Sequence, residues 1–259
     1  MSTLSWNEVE ESSDARARRG ASSGRGALYV VCSPCRRVGK TLLARLITDF
    51  YLSHEWPVAA FDLADEGPQL IDYLPYLTTI ADIGSVPGQM ALFDGLIADK
   101  DTAKVIDVSH RTFKDFFVIA NKICFFEAAR RRGIEPIILF LIDRDPKSVS
   151  AYSILQRWFP AASLLPVRNE NVARGIPYYW DKFPNKSSVH VSLEIPVLIS
   201  SSTRLLIDQP SFSFSHFQAT PSIGLPFRLD EELRGFIKRV FHQVREIELC
   251  LKCDDVWRG

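Results

Sequence analysis

The stretch VCSPCRRVGKTLL, residues 31–43, follows a short apolar run and opens a helical pattern. It closes on Gly39-Lys40-Thr41, the end of the phosphate-loop pattern G-x-x-x-x-G-K-[ST], although Pro34 stands where that pattern has its first glycine. Such a loop turns backbone N–H groups toward the phosphates, while its lysine reaches the β- and γ-phosphates and its hydroxyl holds Mg²⁺. Strand, loop, tripeptide and helix occur in the required order, so we predict a phosphate loop. The alternative is an ordinary helix start with Thr41 in its first turn.

The composition is that of a globular protein. The 259 residues are 46% apolar and carry 31 basic and 31 acidic side chains, which disfavours a globally basic nucleic-acid binder. No apolar run approaches the roughly 18 residues of a membrane span. The N-terminus has no apolar segment behind a basic start, and the cysteine count is odd, so we expect reduced thiols in a cytoplasmic protein.

The cysteines include two C-x-x-C pairs, Cys32/Cys35 and Cys250/Cys253. Together the pairs could supply four thiolates to a zinc ion. One pair, however, straddles the end of a predicted strand, and the other lies at the end of a helical pattern without turn residues. We therefore interpret them as separate thiols and expect no metal cluster.

Apolar segments alternate with helical patterns along the chain. Five segments are typical of buried strands, and a weaker sixth follows them: 27–32, 58–63, 104–108, 136–143, 162–169 and 187–198. Helical periodicity follows Gly39 and recurs at 90–98, 112–132, 147–158 and 229–247. This alternation predicts an α/β fold with a doubly wound, mostly parallel sheet and helices on both faces, a three-layer P-loop NTPase or Rossmann-like architecture.

The domain boundaries follow from polarity. Residues 1–26 are polar and predicted to be a disordered tail, residues 27–252 a single P-loop ATPase-like domain, and residues 253–259 a short tail. Within the domain, residues 67–88 are predicted to be loop with short elements, and residues 199–228 an irregular excursion.

Polar side chains stand at or near the carboxyl ends of several predicted strands. They are Asp62, Asp107, Asp143 and Asn169. Ligands of parallel sheets bind beyond these ends, where the predicted phosphate loop also lies. We expect a site at this edge, although Asp62 and Asp107 could instead cap strands and Asn169 could simply begin a turn.

The order and spacing of these motifs resemble the ParA/MinD family of P-loop ATPases, which includes cobyric-acid-synthase-like and iron-protein-like members. The family's variant loop, K-G-G-x-G-K-[ST], dispenses with the first glycine, and residues 35–41 read CRRVGKT. FDLADEGPQ at 61–69 and VIDVSH at 105–110 are similar to its aspartate-bearing strand ends, and PVRN at 166–169 to the strand whose asparagine contacts adenine. The resemblance covers about residues 27–175.

The resemblance implies ATP and Mg²⁺ as ligands and assigns roles residue by residue. Catalysis would fall to Lys40, Asp62 and Asp65. The nucleotide would contact Arg36, Arg37, Val38, Gly39, Lys40, Thr41, Leu42 and Asn169. The metal side would consist of Thr41, Asp62 and Asp107.

The departures from the family pattern concern hydrolysis and switching. Cys35 replaces the lysine that reaches the partner's nucleotide, and Arg36 and Arg37 replace two glycines, although arginine accepts positive φ at a cost of about 1 kcal/mol or more. Ala64 occupies the water-positioning aspartate's place, with Asp65 one residue later, and Arg111 replaces the glycine that senses the γ-phosphate. We expect ATP to be bound and hydrolysed slowly or not at all.

On this interpretation the protein is a nucleotide-dependent switch in partitioning, positioning or DNA transfer. The family further implies a homodimer that acts on a protein partner or, indirectly, on DNA. Two alternatives stay open: an interaction module that keeps the fold without using nucleotide, and a phosphotransferase or ligase built on the same loop.

Overall fold

A computed structural model describes residues 26–63, 69–173, 182–184, 193–221 and 224–258, with side chains through Leu251. The strands are β1 (Gly26–Cys32), β2 (Val58–Asp62), β3 (Thr78–Ile80), β4 (Ala103–Asp107), β5 (Ile134–Leu141), β6 (Ser163–Asn169) and β7 (Leu193–Ile195). They form one sheet in the order β3-β2-β4-β1-β5-β6-β7, and each pairing is parallel. The predicted α/β fold is thus confirmed, with a sheet parallel throughout the described strands.

Helices connect the strands and cover both faces of the sheet. They are α1 (Lys40–Ser53), α2 (Leu70–Tyr73), α3 (Val86–Ile97), α4 (Phe113–Lys122), α5 (Phe125–Arg131), α6 (Pro146–Trp158), α7 (Glu170–Ala173), α8 (Ser201–Ile207), α9 (Phe214–Ala219) and α10 (Phe227–Arg258). Of the predicted sixth strand, residues 187–192 lie outside the described residues, as do residues 1–25.

The core has two layers because alternate side chains of a strand point to opposite faces. On β1, Tyr29 and Val31 join the cluster formed with α1 and α10, whereas Leu28 and Val30 join the cluster formed with α3 to α6. Both hydrophobic clusters therefore share the central strand. Between β1, α1 and α10, the buried Glu248 accepts hydrogen bonds from the hydroxyls of Tyr29 and Tyr51.

Two helices differ from the sequence prediction. The helix expected over 112–132 is two helices, because Cys124 adopts a left-handed φ of 49° between α4 and α5. Because of this break, Phe117 in α4 and Phe126 in α5 both pack against Phe159, the residue that follows α6. The ring centroids lie 5.6 and 4.8 Å from that of Phe159. Helix α3 begins at Val86 rather than at 90, because the Ser85 hydroxyl accepts a hydrogen bond in its first turn.

The segment predicted to be irregular, 199–228, contains helix α8, which packs against α10, and helix α9, which packs against α1. Arg45 of α1 is buried and donates to the carbonyl oxygens of Ile207 at 2.7 Å and Phe212 at 3.2 Å. Asp49, one turn later, accepts from the backbone N–H of Phe214 at 2.8 Å. Residues 207–214 are thus held by buried charges of a helix distant in sequence, which the local polarity of the segment does not predict.

The topology locates the most favourable ligand position at β1. From β1 the chain moves to β2 and β3 on one side, returns to β4 beside β1, and continues to β5, β6 and β7 on the other side. The strand order therefore reverses at β1, and ligands of open parallel sheets bind at the carboxyl ends of such strands.

Candidate functional site

The loop between β1 and α1 lies at this reversal point. Gly39, its last residue, has a φ of 100°, a left-handed conformation that L side chains rarely adopt. A Cβ atom there would also lie 2.5 Å from Nδ2 of Asn169. Glycine is required on both counts, and the phosphate loop predicted at this position stays a prediction.

Asn169 supports the loop from behind. Its Nδ2 donates to the carbonyl oxygen of Val38 at 3.0 Å, and its Oδ1 accepts from the backbone N–H of Asn171 at 3.1 Å. Asn169 and Val38 are both buried. Both polar atoms of the asparagine are thus engaged by the protein itself, and the adenine contact implied by the family resemblance stays a prediction.

Lys40 begins α1 and bends back over the loop. Its ammonium donates to the carbonyl oxygen of Cys35 at 2.7 Å. Burial lowers the pKa of Lys40, and the nearby Asp107 carboxylate acts in the opposite direction. A phosphate oxygen is a stronger acceptor for an ammonium than a carbonyl oxygen is, so this hydrogen bond is one that an anion can replace.

Thr41 and Asp107 form the closest contact of the site across two elements. The Thr41 hydroxyl donates to Oδ2 of Asp107 at 2.5 Å, while Oδ1 of this buried carboxyl has no hydrogen-bond partner among the described residues. Burial, and to a smaller extent the charge of Asp62, raise the pKa of Asp107 while Thr41 and Lys40 lower it, and together they bring it to about 7. The pair has a carboxylate oxygen available for a cation.

Asp62 lies beside Asp107 in the register of β2 and β4. Its Oδ2 accepts from the backbone N–H groups of Leu70 at 2.6 Å and Ile71 at 3.4 Å, at the start of α2. These bonds tie the end of β2 to the start of a helix, whereas the alternative weighed from the sequence was a strand cap, and the metal-side role of Asp62 stays a prediction. Asp65, the other predicted catalytic carboxylate, falls within residues 64–68, outside the described residues.

The two loop arginines are exposed and differ in conformation. Arg37 adopts a left-handed φ of 54°, the strained geometry anticipated for arginine in place of glycine. Arg36 Nε donates to Nε2 of His110 at 2.6 Å, which ties the loop to the segment after β4. Leu42 packs against the hydrophobic core, so only its backbone can face a ligand.

A second polar cluster borders the loop just after β5, around Asp143, one of the strand-end residues that the sequence places at this edge. Asp143 Oδ1 accepts from the Ser148 hydroxyl at 2.8 Å and from the backbone N–H of Asp145 at 2.7 Å. The Cys35 sulfur lies 3.6 Å from the Ser148 hydroxyl oxygen, and burial, reinforced by Asp143, raises the pKa of Cys35 to about 11. The thiol is neutral at physiological pH. The contact was hidden from the sequence because Ser148 belongs to α6.

Within the described ranges, no three His, Cys, Asp or Glu side chains are grouped so that they could hold a metal ion. The side chain of Cys253 lies outside those ranges. No helix of the described part is both long enough and apolar enough to cross a membrane.

Comparison with protein-family models gives no match. Comparison with curated proteins likewise gives none. Membership of the ParA/MinD family therefore stays a prediction that rests on the order and spacing of the motifs.

Proposed function

We propose that the protein binds ATP with Mg²⁺ at the β1–α1 loop and acts as a nucleotide-dependent switch. The observation that carries the proposal is the 2.5 Å hydrogen bond between Thr41 and Asp107, formed beside Lys40 at the point where the strand order reverses. A hydroxyl from a loop-following helix and a carboxylate from the adjacent strand are the pair that P-loop proteins use on the metal side.

The phosphates would lie at the N-terminus of α1. Backbone N–H groups of the first helical turn have no intrahelical acceptor, and the helix dipole favours negative charge there. Lys40 contributes an ammonium whose present acceptor is a backbone carbonyl. Gly39 has a left-handed φ and no side chain, so a phosphate can come close to its backbone.

The residues present fit Mg²⁺. This ion prefers oxygen ligands and retains several waters, so one carboxylate and one hydroxyl suffice when phosphate oxygens complete the shell. Thr41 supplies the hydroxyl, and Asp107 supplies the buried oxygen that has no partner among the described residues. Bound Mg²⁺ would neutralise charge on the phosphates. Because a ligating carboxyl must be deprotonated, metal binding would displace the proton that burial favours on Asp107.

Slow or absent hydrolysis is supported by three features of the site. The Cys35 thiol is uncharged, so it cannot replace a lysine at phosphate. Arg36 stands where the family has a glycine, and its side chain donates a hydrogen bond to His110. One carboxylate oxygen of Asp62 accepts hydrogen bonds from the start of α2. Phosphoryl transfer depends on positioning and charge stabilisation, so these three features should lower the rate of ATP hydrolysis.

The test is a thermal-shift panel with ATP, ADP and GTP, each with Mg²⁺. A nucleotide at 100 times its Kd should stabilise the fold by about 2.7 kcal/mol. Lys40→Ala should abolish the shift, whereas Lys122→Ala, an exposed lysine at the end of α4, should retain it. The absence of a shift with all three nucleotides would favour a fold-retaining interaction module. Turnover that depends on an added acceptor would favour a phosphotransferase or ligase.

The proposed switch acts as a homodimer. Its target would be a protein partner or, indirectly, DNA, and its role would be in partitioning, positioning or DNA transfer. Its support is the family resemblance of the loop and strand-end motifs. Light scattering with and without ATP–Mg²⁺ tests the dimer: a mass that stays monomeric in both conditions contradicts it.

A further inference from the structure

A groove lies at the other end of α1, remote from the β1–α1 loop. Its volume is about 470 Å³, and it is open to solvent between the C-terminal end of α1, helix α9 and helix α10. Helix α1 has 14 residues, which at about 1.5 Å per residue places the groove roughly 20 Å from the loop. It is therefore separate from the proposed nucleotide site, and the inference below does not depend on that site.

The rim of this α10 groove is cationic. Lys238, His242 and Arg245 line it and repeat at intervals of four and three residues, which places them on one face of α10. Lys238 and Arg245 are exposed, and neither forms an ion pair within the described residues. His242 lies 3.6 Å from Glu246, so a carboxylate borders the rim beside His242.

The floor of the groove is aromatic. Phe50 of α1 and Phe241 of α10 meet edge to face with ring centroids 5.6 Å apart, and both are buried. The His54 ring lies 4.5 Å from that of Phe50. Phe50 keeps 1% and Phe241 7% of its surface exposed, so an apolar side chain laid on this floor would cover a small area, at about 25 cal/mol per Å².

The α9 wall is held in place before any ligand arrives. Asp49 accepts hydrogen bonds from the hydroxyls of Ser213 at 2.7 Å and Ser215 at 2.9 Å, and Ser215 itself lines the groove. The Ser213 hydroxyl also caps α9 by accepting from the backbone N–H of His216. A preformed wall lowers the entropy cost of binding.

We propose that the α10 groove binds an acidic peptide segment of a protein partner. Carboxylates of the peptide would pair with Lys238 and Arg245, and an apolar side chain between them would pack on Phe50 and Phe241. Charge complementarity selects the acidic partner. The openness of the groove favours a peptide over a small molecule, because small-molecule pockets enclose most of the ligand surface.

The test uses a fluorescein-labelled peptide, Glu-Glu-Phe-Glu-Glu, titrated with the full chain and followed by fluorescence anisotropy at low salt. Lys238→Glu should weaken binding by about tenfold or more, because it replaces attraction with repulsion at the rim. The matched control is Arg239→Glu, the next residue of the same helix, exposed but outside the groove; it should change the Kd less than about twofold. Phe241→Ala should weaken binding further, and circular dichroism would show whether that variant folds.

Four results would overturn the proposal. They are no binding at about 1 mM protein, equal weakening by Lys238→Glu and Arg239→Glu, equal binding of a peptide with lysine in place of glutamate, and displacement of the peptide by a single-stranded oligonucleotide that binds more tightly. The last would identify a nucleic-acid surface. Lys40→Ala should leave peptide binding unchanged, so failure of the proposed nucleotide site would be distinguishable from failure of this groove.

Discussion

Replacing Asp107 with asparagine should stabilise the metal-free protein at neutral pH. The carboxyl is buried, one oxygen has no hydrogen-bond partner among the described residues, and Asp62 adds a like charge. Asparagine is nearly isosteric with aspartate, and its carbonyl oxygen can still accept a hydrogen bond from the Thr41 hydroxyl. The substitution therefore removes the buried charge while retaining the contact.

The magnitude follows from the pKa of Asp107, which burial raises from 3.8 to about 7. The folded state holds this proton more tightly than the unfolded state, so the carboxyl's contribution to stability is largest below pH 4 and is lost as pH rises toward 7. Each pKa unit corresponds to about 1.4 kcal/mol. Between pH 5 and pH 7, the stability of Asp107→Asn relative to the original protein should therefore rise by about 2–3 kcal/mol.

Urea unfolding in EDTA, followed by circular dichroism at pH 5, 6 and 7, measures this difference. Asp94→Asn, which removes an exposed carboxylate of α3, is the matched control for the loss of one negative charge. Parallel stability curves for Asp107→Asn and the original protein would refute the reasoning, because they would mean that Asp107 titrates alike in both states.

Three further substitutions test the β1–α1 loop and the anchor of α9. Gly39→Ala should destabilise the fold by about 2 kcal/mol or more, because its φ is 100° and its Cβ would approach Asn169; Gly235→Ala, in open space within α10, should stabilise by up to about 1 kcal/mol, and a similar fall in Tm for both would contradict the steric account. Arg37→Gly should raise the Tm of the apo protein, since relief of about 1–2 kcal/mol of left-handed strain exceeds the added chain entropy; a lower Tm would show that the arginine makes compensating contacts. Asp49→Ala should cost about 2–4 kcal/mol in urea unfolding, because it leaves buried donors at the start of α9 unsatisfied, and a loss below about 1 kcal/mol would count against that anchor.

The fold was accessible from the sequence because its signals are local. Apolar runs such as 136–143 identify strands buried on both faces, and the stripe over 229–247 identifies a long amphipathic helix. What the sequence missed depends on contacts between distant segments. Helices α8 and α9 are held by Arg45 and Asp49 inside α1, and the break at Cys124 follows from aromatic packing on both sides of it.

The candidate site likewise has contacts that the sequence predicts and contacts that it does not. The approach of Thr41 to Asp107 was predictable, because a loop after one strand and the end of its neighbour must meet at the same edge of a parallel sheet. The hydrogen bonds of Asn169 with Val38 and of Arg36 with His110 were not, because side-chain partners across loops are set by rotamers and loop conformation rather than by spacing.

The two sites on α1 differ in how readily they can respond to a ligand. From Leu43 to Tyr51 each residue of α1 is buried, so the helix is fixed against the sheet and against α10, and the groove at its far end is a preformed surface. At the other end, Lys40 is bonded to a carbonyl oxygen and Arg36 to a neutral acceptor, contacts that a phosphate can replace with stronger charge-assisted ones. A nucleotide-driven change would therefore fall on the β1–α1 loop and the segment after β4 rather than on α1 itself. The proposed peptide docking and the proposed nucleotide response would therefore involve different parts of the molecule, the first a rigid surface and the second a loop with exchangeable contacts.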